Sequence, residues 1–274
     1  VLPLPVDNPE GSNTVATAET VSVTLSTEQT QILQEEIAAT YRVQLEDVLL
    51  ATLGQAFSKW TAKESLLIDL EGNGRDVIFD DIDLSRTVGW FTNIAPVLLE
   101  IDEAKQTGEI LKQVKEQLRS FPNQGLGYGV LRYLSEDEII AEKLRSQQSA
   151  EVLFLYLGNY EQTVPESSLF TLSPKSNGLS RSLRGHRSHL IEINALIVDN
   201  QLKVDWIYSQ NVHRRETVEK LTQDFLAALL SLFTNTQSSS VPNYTPSDFA
   251  EFESSQWNQN DINDIMTAIN QTRR

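Results

Sequence analysis

Val152-Leu153-Phe154-Leu155-Tyr156-Leu157 is apolar at every position, and so apolar on both faces if extended. That is the pattern of a central strand covered on both sides. Downstream, Leu190 to Val198 and Leu202 to Tyr208 are two further strand patterns separated by Asp199-Asn200-Gln201, which predicts a hairpin. Upstream, Leu66-Leu67-Ile68-Asp69-Leu70 is a short apolar run of strand length, and Val97–Ile101 is another. Val21, Val23 and Leu25 alternate with polar residues, as in a half-buried strand.

Helical patterns lie between these runs. Ser26 and Gln29 have capping-box spacing, so a helix should start near Thr27. Val48, Leu49, Leu53, Ala56, Phe57 and Trp60 keep the three-and-four spacing of one buried face over 45–60. Further helices fit 104–119, 135–146 (Ser135 as N-cap, Glu138 completing the box), 214–233 and 259–269. Pro122, Gly125, Gly127 and Gly129 read as a turn-rich loop, and 161–188 as a second loop. Strands and helices alternate irregularly and include a hairpin. This favours an α/β sandwich with a mixed sheet over a purely parallel doubly wound one.

With 274 residues, 40% hydrophobic and 22% charged, the chain can bury a full core. A net charge of −16 argues against general nucleic-acid binding and against docking to an anionic membrane. No apolar run approaches the roughly 18 residues needed to span a bilayer. There are no cysteines and three histidines, so thiolate chemistry is absent and a His-rich metal site has little material. The cysteine count fits a reducing compartment, and a cytoplasmic location is expected. The chain opens Val1-Leu2-Pro3-Leu4-Pro5, without the pattern of a signal peptide, and reads as an engineered fragment, a processed product or a piece of something longer. Residues 1–20 have linker composition.

Glu71 follows the apolar run 66–70 and precedes Gly72-Asn73-Gly74-Arg75-Asp76, where glycines permit a tight turn. A carboxylate at a strand end with low-dielectric walls can have its pKa raised into a range useful for acid/base work. The plainer alternative is that Glu71 caps the turn or pairs with Arg75. Arg75 itself fits either a bidentate anion or an ion pair with Asp76 or Asp69. Trp90 and Phe91, beside Gly89, fit either a channel wall or plain core. Between Ser167 and Ile191 there is no acidic residue, but there are Lys175, Arg181, Arg184 and Arg187. That local positive charge fits an acidic or phosphate-bearing partner, or a solvated loop. The 235–272 stretch has five acidic residues and no Lys or Arg, with an apolar stripe of Ile262, Ile265, Met266 and Ile269. It fits a docking helix or a helix packed back on the same domain.

Five blocks in order then carry a resemblance. Asp47–Gly54 looks like DxLLxAxG, Glu71–Asp76 like EGHGRE, and Arg86–Thr92 with Pro96 and Glu100 like RTVGWFTxxYPxxxE. Pro122–Gly129 is similar to PxxGxGYG and Phe154–Gly158 to FNYLGQ. The sequence resembles the condensation/epimerization superfamily of nonribosomal peptide synthetases, in the C-terminal half of an epimerization-type domain. The resemblance implies one lobe, residues 21–250, of a two-lobed chloramphenicol-acetyltransferase-like fold, with 251–274 as a linker or docking tail. Its partners would be an N-terminal lobe bearing HHxxxDG, a peptidyl carrier protein, and a downstream condensation domain met by the C-terminal helix.

The resemblance implies that Glu71 is the acid/base glutamate. It places Tyr156 where a hydroxyl bonds the thioester carbonyl or enolate, or else is simply buried. Asn73, Arg75, Trp90, Phe91 and Leu155 would line the substrate channel, and Lys175, Arg181, Arg184 and Arg187 would meet the carrier. The chain would bind no cofactor of its own, since phosphopantetheine belongs to the carrier. Two residues depart from the pattern: Asn73 stands for the histidine of EGHGRE, and Leu155 for the asparagine of FNYLGQ. A peptide-bond-forming lobe and a non-catalytic docking lobe are the alternatives.

Overall fold

Six strands, β1 (Ala18–Thr24), β2 (Ser65–Gly72), β3 (Asn93–Glu100), β4 (Val152–Asn159), β5 (Ile191–Val198) and β6 (Gln201–Ser209), form one mixed sheet in the order β1-β6-β5-β4-β2-β3. The computed structural model describes residues 3–75, 82–159, 178, 180–236, 243–249 and 259–272. β4 is central, as its two-sided apolar pattern predicts, and runs parallel to β2 on one side and β5 on the other. The remaining pairs are antiparallel. The β5–β6 hairpin closes through Asp199 and Asn200, both at positive φ (51° and 56°). Left-handed backbone at both central residues suits a two-residue hairpin turn.

The helices are α1 (Thr27–Gln31), α2 (Ala38–Tyr41), α3 (Leu45–Thr61), α4 (Thr107–Arg119), α5 (Leu126–Tyr133), α6 (Glu138–Arg145), α7 (Arg215–Thr236) and α8 (Gln259–Thr272). The Ser26–Gln29 capping box forms in both directions, and a π-helical turn, Ile32–Ile37, joins α1 to α2. α3, α4 and α7 pack together over one face of the sheet. Ile68, Val97, Phe154, Ile193 and Trp206 meet Leu49, Phe57, Val114 and Phe225 in the core. Trp206 stacks on Phe57 at 6.0 Å and meets Phe225 edge-on at 5.7 Å. Among the described residues no helix is long and apolar enough to cross a membrane.

Three expectations change. Residues 122–129 are not a loop: a 3-10 turn, Pro122–Gly125, runs into α5. Of its three glycines only Gly125 needs positive φ, 79°, and it lies against Ala95 and Phe121. The α6 N-cap is Asp137, not Ser135, because the Asp137 side chain accepts from both the Ile139 and Ile140 amides. The segment before β1 is strapped to the body. The Asp7 and Asn8 amides donate to the Val212 carbonyl at 3.2 and 3.0 Å, and Val15 N donates to Gly185 O at 2.9 Å. His213 Nε2 bonds Pro5 O at 3.1 Å. Such a strap satisfies backbone groups at the sheet edge with only one short 3-10 turn, Val15–Thr17, of its own, so its composition looks like that of a linker.

Near the other end, Asp248 is buried between Lys115 Nζ, at 2.7 Å, and Arg42 Nε, at 3.4 Å. On α8, Ile262 is buried and Ile265 is 38% exposed, so part of the apolar stripe packs back.

Candidate active site

β-pleating sends alternate residues to opposite faces. On β2, Leu66 and Ile68 enter the core, so Asp69 and Glu71 lie on the other face, which α3, α4 and α7 do not cover. The ladder pairs give the rows across that face. One row is Pro96, Asp69, Leu153, Glu192 and Ile207, and the next is Ile94, Glu71, Leu155, Asn194 and Asp205. Glu71 is therefore half-buried at the carboxyl end of β2, flanked by Ile94 and Leu155. Burial pushes its carboxyl above the ordinary range. Arg181 pulls it back, Glu192 adds to the rise, and His189 pulls it back again. A carboxyl with raised proton affinity in a partly dry setting is suited to taking up and releasing a proton.

Around Glu71 lies a charged network that the motifs do not mark. His189 Nε2 donates to Asp69 Oδ2 at 2.8 Å, and its Nδ1 lies 3.0 Å from Ser188 Oγ. Glu192 is buried, 3.3 Å from Arg187 Nη2 and 3.7 Å from Arg181 Nη1. Asp69 was legible through its period-two relation to Glu71. His189 and Glu192 reach the face from more than a hundred residues downstream on the order of the sheet's crossovers, and only the strand order brings them there.

Among the described residues Arg75 makes no ion pair, and its guanidinium is taken up by backbone carbonyls. Its Nη1 donates to Leu84 O and Thr87 O at 3.0 and 3.1 Å, and its Nη2 to Gly89 O at 3.3 Å. Its guanidinium lies 4.5 Å over the Phe91 ring. Asp69, one of its expected partners, is taken by His189, and the other, Asp76, lies outside the described residues. Asn73 Oδ1 accepts from the Arg75 amide at 2.8 Å, so the asparagine braces the turn. Gly74 has φ 64°, and a Cβ there would run into the Phe91 carbonyl. Glycine is thus required at this close approach.

The remaining candidates divide. Leu155 is the ladder neighbour of Glu71 on the same face. Tyr156 is on the opposite, helix-covered face, packed against the core, and the structure does not bring it to Glu71. Burial, with Glu46 nearby, pushes its hydroxyl pKa up. Trp90 is not core: it is 89% exposed, whereas Phe91 is half-buried under Arg75. Arg187 cannot meet a partner. Its side chain is 2% exposed, and it donates to Leu190 O and Ile207 O. Arg181 and Arg184 are exposed, and Lys175 lies outside the described residues.

Residues 1–251 match the Condensation domain family. The chain belongs to that family. It is part of a nonribosomal peptide synthetase condensation-family domain, with the chloramphenicol-acetyltransferase-like fold seen above. One of the linear gramicidin synthase proteins of Brevibacillus parabrevis is 43% identical over 251 residues, 91% of this chain and 3% of that protein. Gramicidin S synthase 1 of Brevibacillus brevis is 31% identical over 254 residues, 90% of this chain and 23% of that one. The epimerization domain from the third module of tyrocidine synthetase B superposes with a TM-score of 0.79 at 30% identity, covering 87% of this chain and 53% of that one. The X-domain from teicoplanin biosynthesis, 16% identical with a TM-score of 0.59, shares the fold. The condensation-family lobe thus spans about half of a solved epimerization domain and a small part of the synthetases it matches.

Proposed function

We propose that this lobe forms one wall of an epimerization-type site acting on an aminoacyl or peptidyl thioester carried on the phosphopantetheine of a carrier protein. The observation that carries the reading is Glu71, a half-buried carboxyl of raised proton affinity on the face that the long helices leave uncovered. The thioester carbonyl acidifies the adjacent Cα–H. Glu71 takes that proton, leaving an enolate, and a group on a companion lobe returns a proton to the opposite face. The substrate loses one proton and gains one, Glu71 ends protonated and the companion group deprotonated, and proton exchange with solvent resets both. The likeness to the tyrocidine synthetase epimerization domain supports this subtype. Exposed Arg181 and Arg184 are the residues proposed to meet the carrier's phosphate.

Leu155 favours a second reading. An aliphatic side chain beside Glu71 offers no hydrogen bond to substrate, which fits a lobe that holds the thioester without inverting it.

The test uses a two-lobed domain containing this lobe, with loaded carrier protein in D2O. Deuterium enters Cα, and Glu71→Gln slows its entry by roughly 100-fold or more. Exchange indifferent to Glu71→Gln removes the residue from the reaction. Peptide-bond formation without exchange assigns the lobe to condensation, and neither activity supports the second reading.

A further inference from the structure

β2 presents two acidic side chains on the face that α3, α4 and α7 do not cover, and the proposed reaction uses only Glu71. Asp69, two residues earlier, is bonded by His189 Nε2. His189 is 8% exposed and held from several sides. Its carbonyl accepts from Asn13 Nδ2 at 2.9 Å, its Nδ1 meets Ser188 Oγ, and the preceding Arg187 is anchored on the Ile207 carbonyl at 2.8 Å. Among the described residues, the charged groups acting on Glu71 are Arg181 and His189 from the segment before β5 and Glu192 from β5, and Asp69 shares its face of β2. Arg132 of α5 is close enough to act on Asp69. Two carboxylates on one face of a strand disfavour each other's ionisation, and a hydrogen-bond donor held on one of them eases it.

We infer that Asp69 and His189 form a positioning pair for Glu71, in which Asp69 fixes the imidazole and the fixed ring shapes the surroundings in which Glu71 exchanges its proton. The inference rests on the acid/base reading of Glu71. Neither residue touches the reacting carbon. Their work is to offset, through His189, part of the rise that burial imposes on Glu71 and to hold the end of β2 to the segment before β5.

Three variants make the pair testable. His189→Gln keeps a donor for Asp69 but removes the ring that pulls the Glu71 carboxyl back toward its ordinary range. Asp69→Asn removes the neighbouring carboxylate, and the double variant removes both. Carboxyl carbon NMR of this chain, with the Glu71 signal assigned through Glu71→Gln, reads the titration midpoint directly. His189→Gln raises the midpoint by roughly half a pH unit or more. The double variant brings it most of the way back, and Asp69→Asn lowers it. A midpoint unmoved by His189→Gln, or not recovered in the double variant, overturns the inference and leaves the pair merely structural. If His189→Gln does not fold, the sign of the Asp69→Asn shift decides. In the two-lobed domain the acidic limb of α-proton exchange moves with the midpoint. A shifted midpoint in a domain that exchanges no α-proton keeps the pair and overturns the reaction assigned to Glu71.

Discussion

Arg75 shows how a motif residue can act beside a site rather than in it. Its three hydrogen bonds to the 84–89 carbonyls and its place over Phe91 hold the loop that follows the Glu71 turn. Arg75→Ala is expected to raise amide hydrogen exchange across 84–91 by roughly tenfold while leaving the core amides unchanged. At Glu71 itself the sign is reversed. Burial raises the folded-state pKa above the ordinary value, so the ionised form is disfavoured in the folded chain. Stability therefore falls as pH rises through the interval between the unfolded and folded values. Glu71→Gln should raise Tm at pH 7, and the gain should vanish in acid, where both states are protonated. A Tm at pH 7 equal to or below wild type would contradict the environment described for this carboxyl. Glu71 was legible because an acidic residue closes an apolar strand beside glycines. His189 was not, because nothing local distinguishes a histidine ahead of an apolar strand from a core histidine. Arg187, read with a positive loop, turned inward because carbonyls and Glu192 offered it partners there.

At the scale of elements, the blocks that identify the family divide between site and scaffold. Asp47 opens the first block, yet its carboxyl is buried in packing: Oδ2 accepts from the Gln44 amide at 2.8 Å and from Arg119 Nη2 at 2.8 Å. It caps α3 and ties it to α4. Asp47→Ala removes the cap and leaves Arg119 unpaired at the protein surface, an expected loss of about 2–3 kcal/mol in urea denaturation. The Glu71 titration should be untouched, because Asp47 belongs to the helical layer. Element type was read well wherever one face is buried, as in α3, α7 and the β5–β6 hairpin. It failed at 122–129, where glycine spacing outweighed the helical setting. Gly127 and Gly129 have open space where a Cβ would go, so their absent side chains reflect no local crowding and no turn. The first helix after β1 was placed from Ser26 and Gln29 alone, but its π-helical turn has no sequence signal that we can name.

For the whole molecule, the decisive asymmetry is between the two faces of the sheet. One is sealed by three helices. On the other, Ile94 and Leu98 of edge strand β3 are each 44% exposed and Leu157 of β4 is 50% exposed, in the neighbourhood of Glu71. Mean composition cannot reveal such a face, because its apolar residues are few and come from separated strands. A half-exposed isoleucine contributes little to the stability of this chain. If the proposed companion lobe lies over that face, the same side chain is buried when both lobes are present. Ile94→Lys separates the two situations. In this chain alone it should change unfolding free energy by no more than about 0.5 kcal/mol. In the two-lobed domain it should lower stability by a further ~1–2 kcal/mol, the cost of covering a charge in an apolar contact after partial escape to solvent. It should also slow α-proton exchange, because Ile94 is the ladder neighbour of Glu71. Equal destabilisation in both would mean that no companion lobe covers Ile94, and the site would then have to open on some other side of β2.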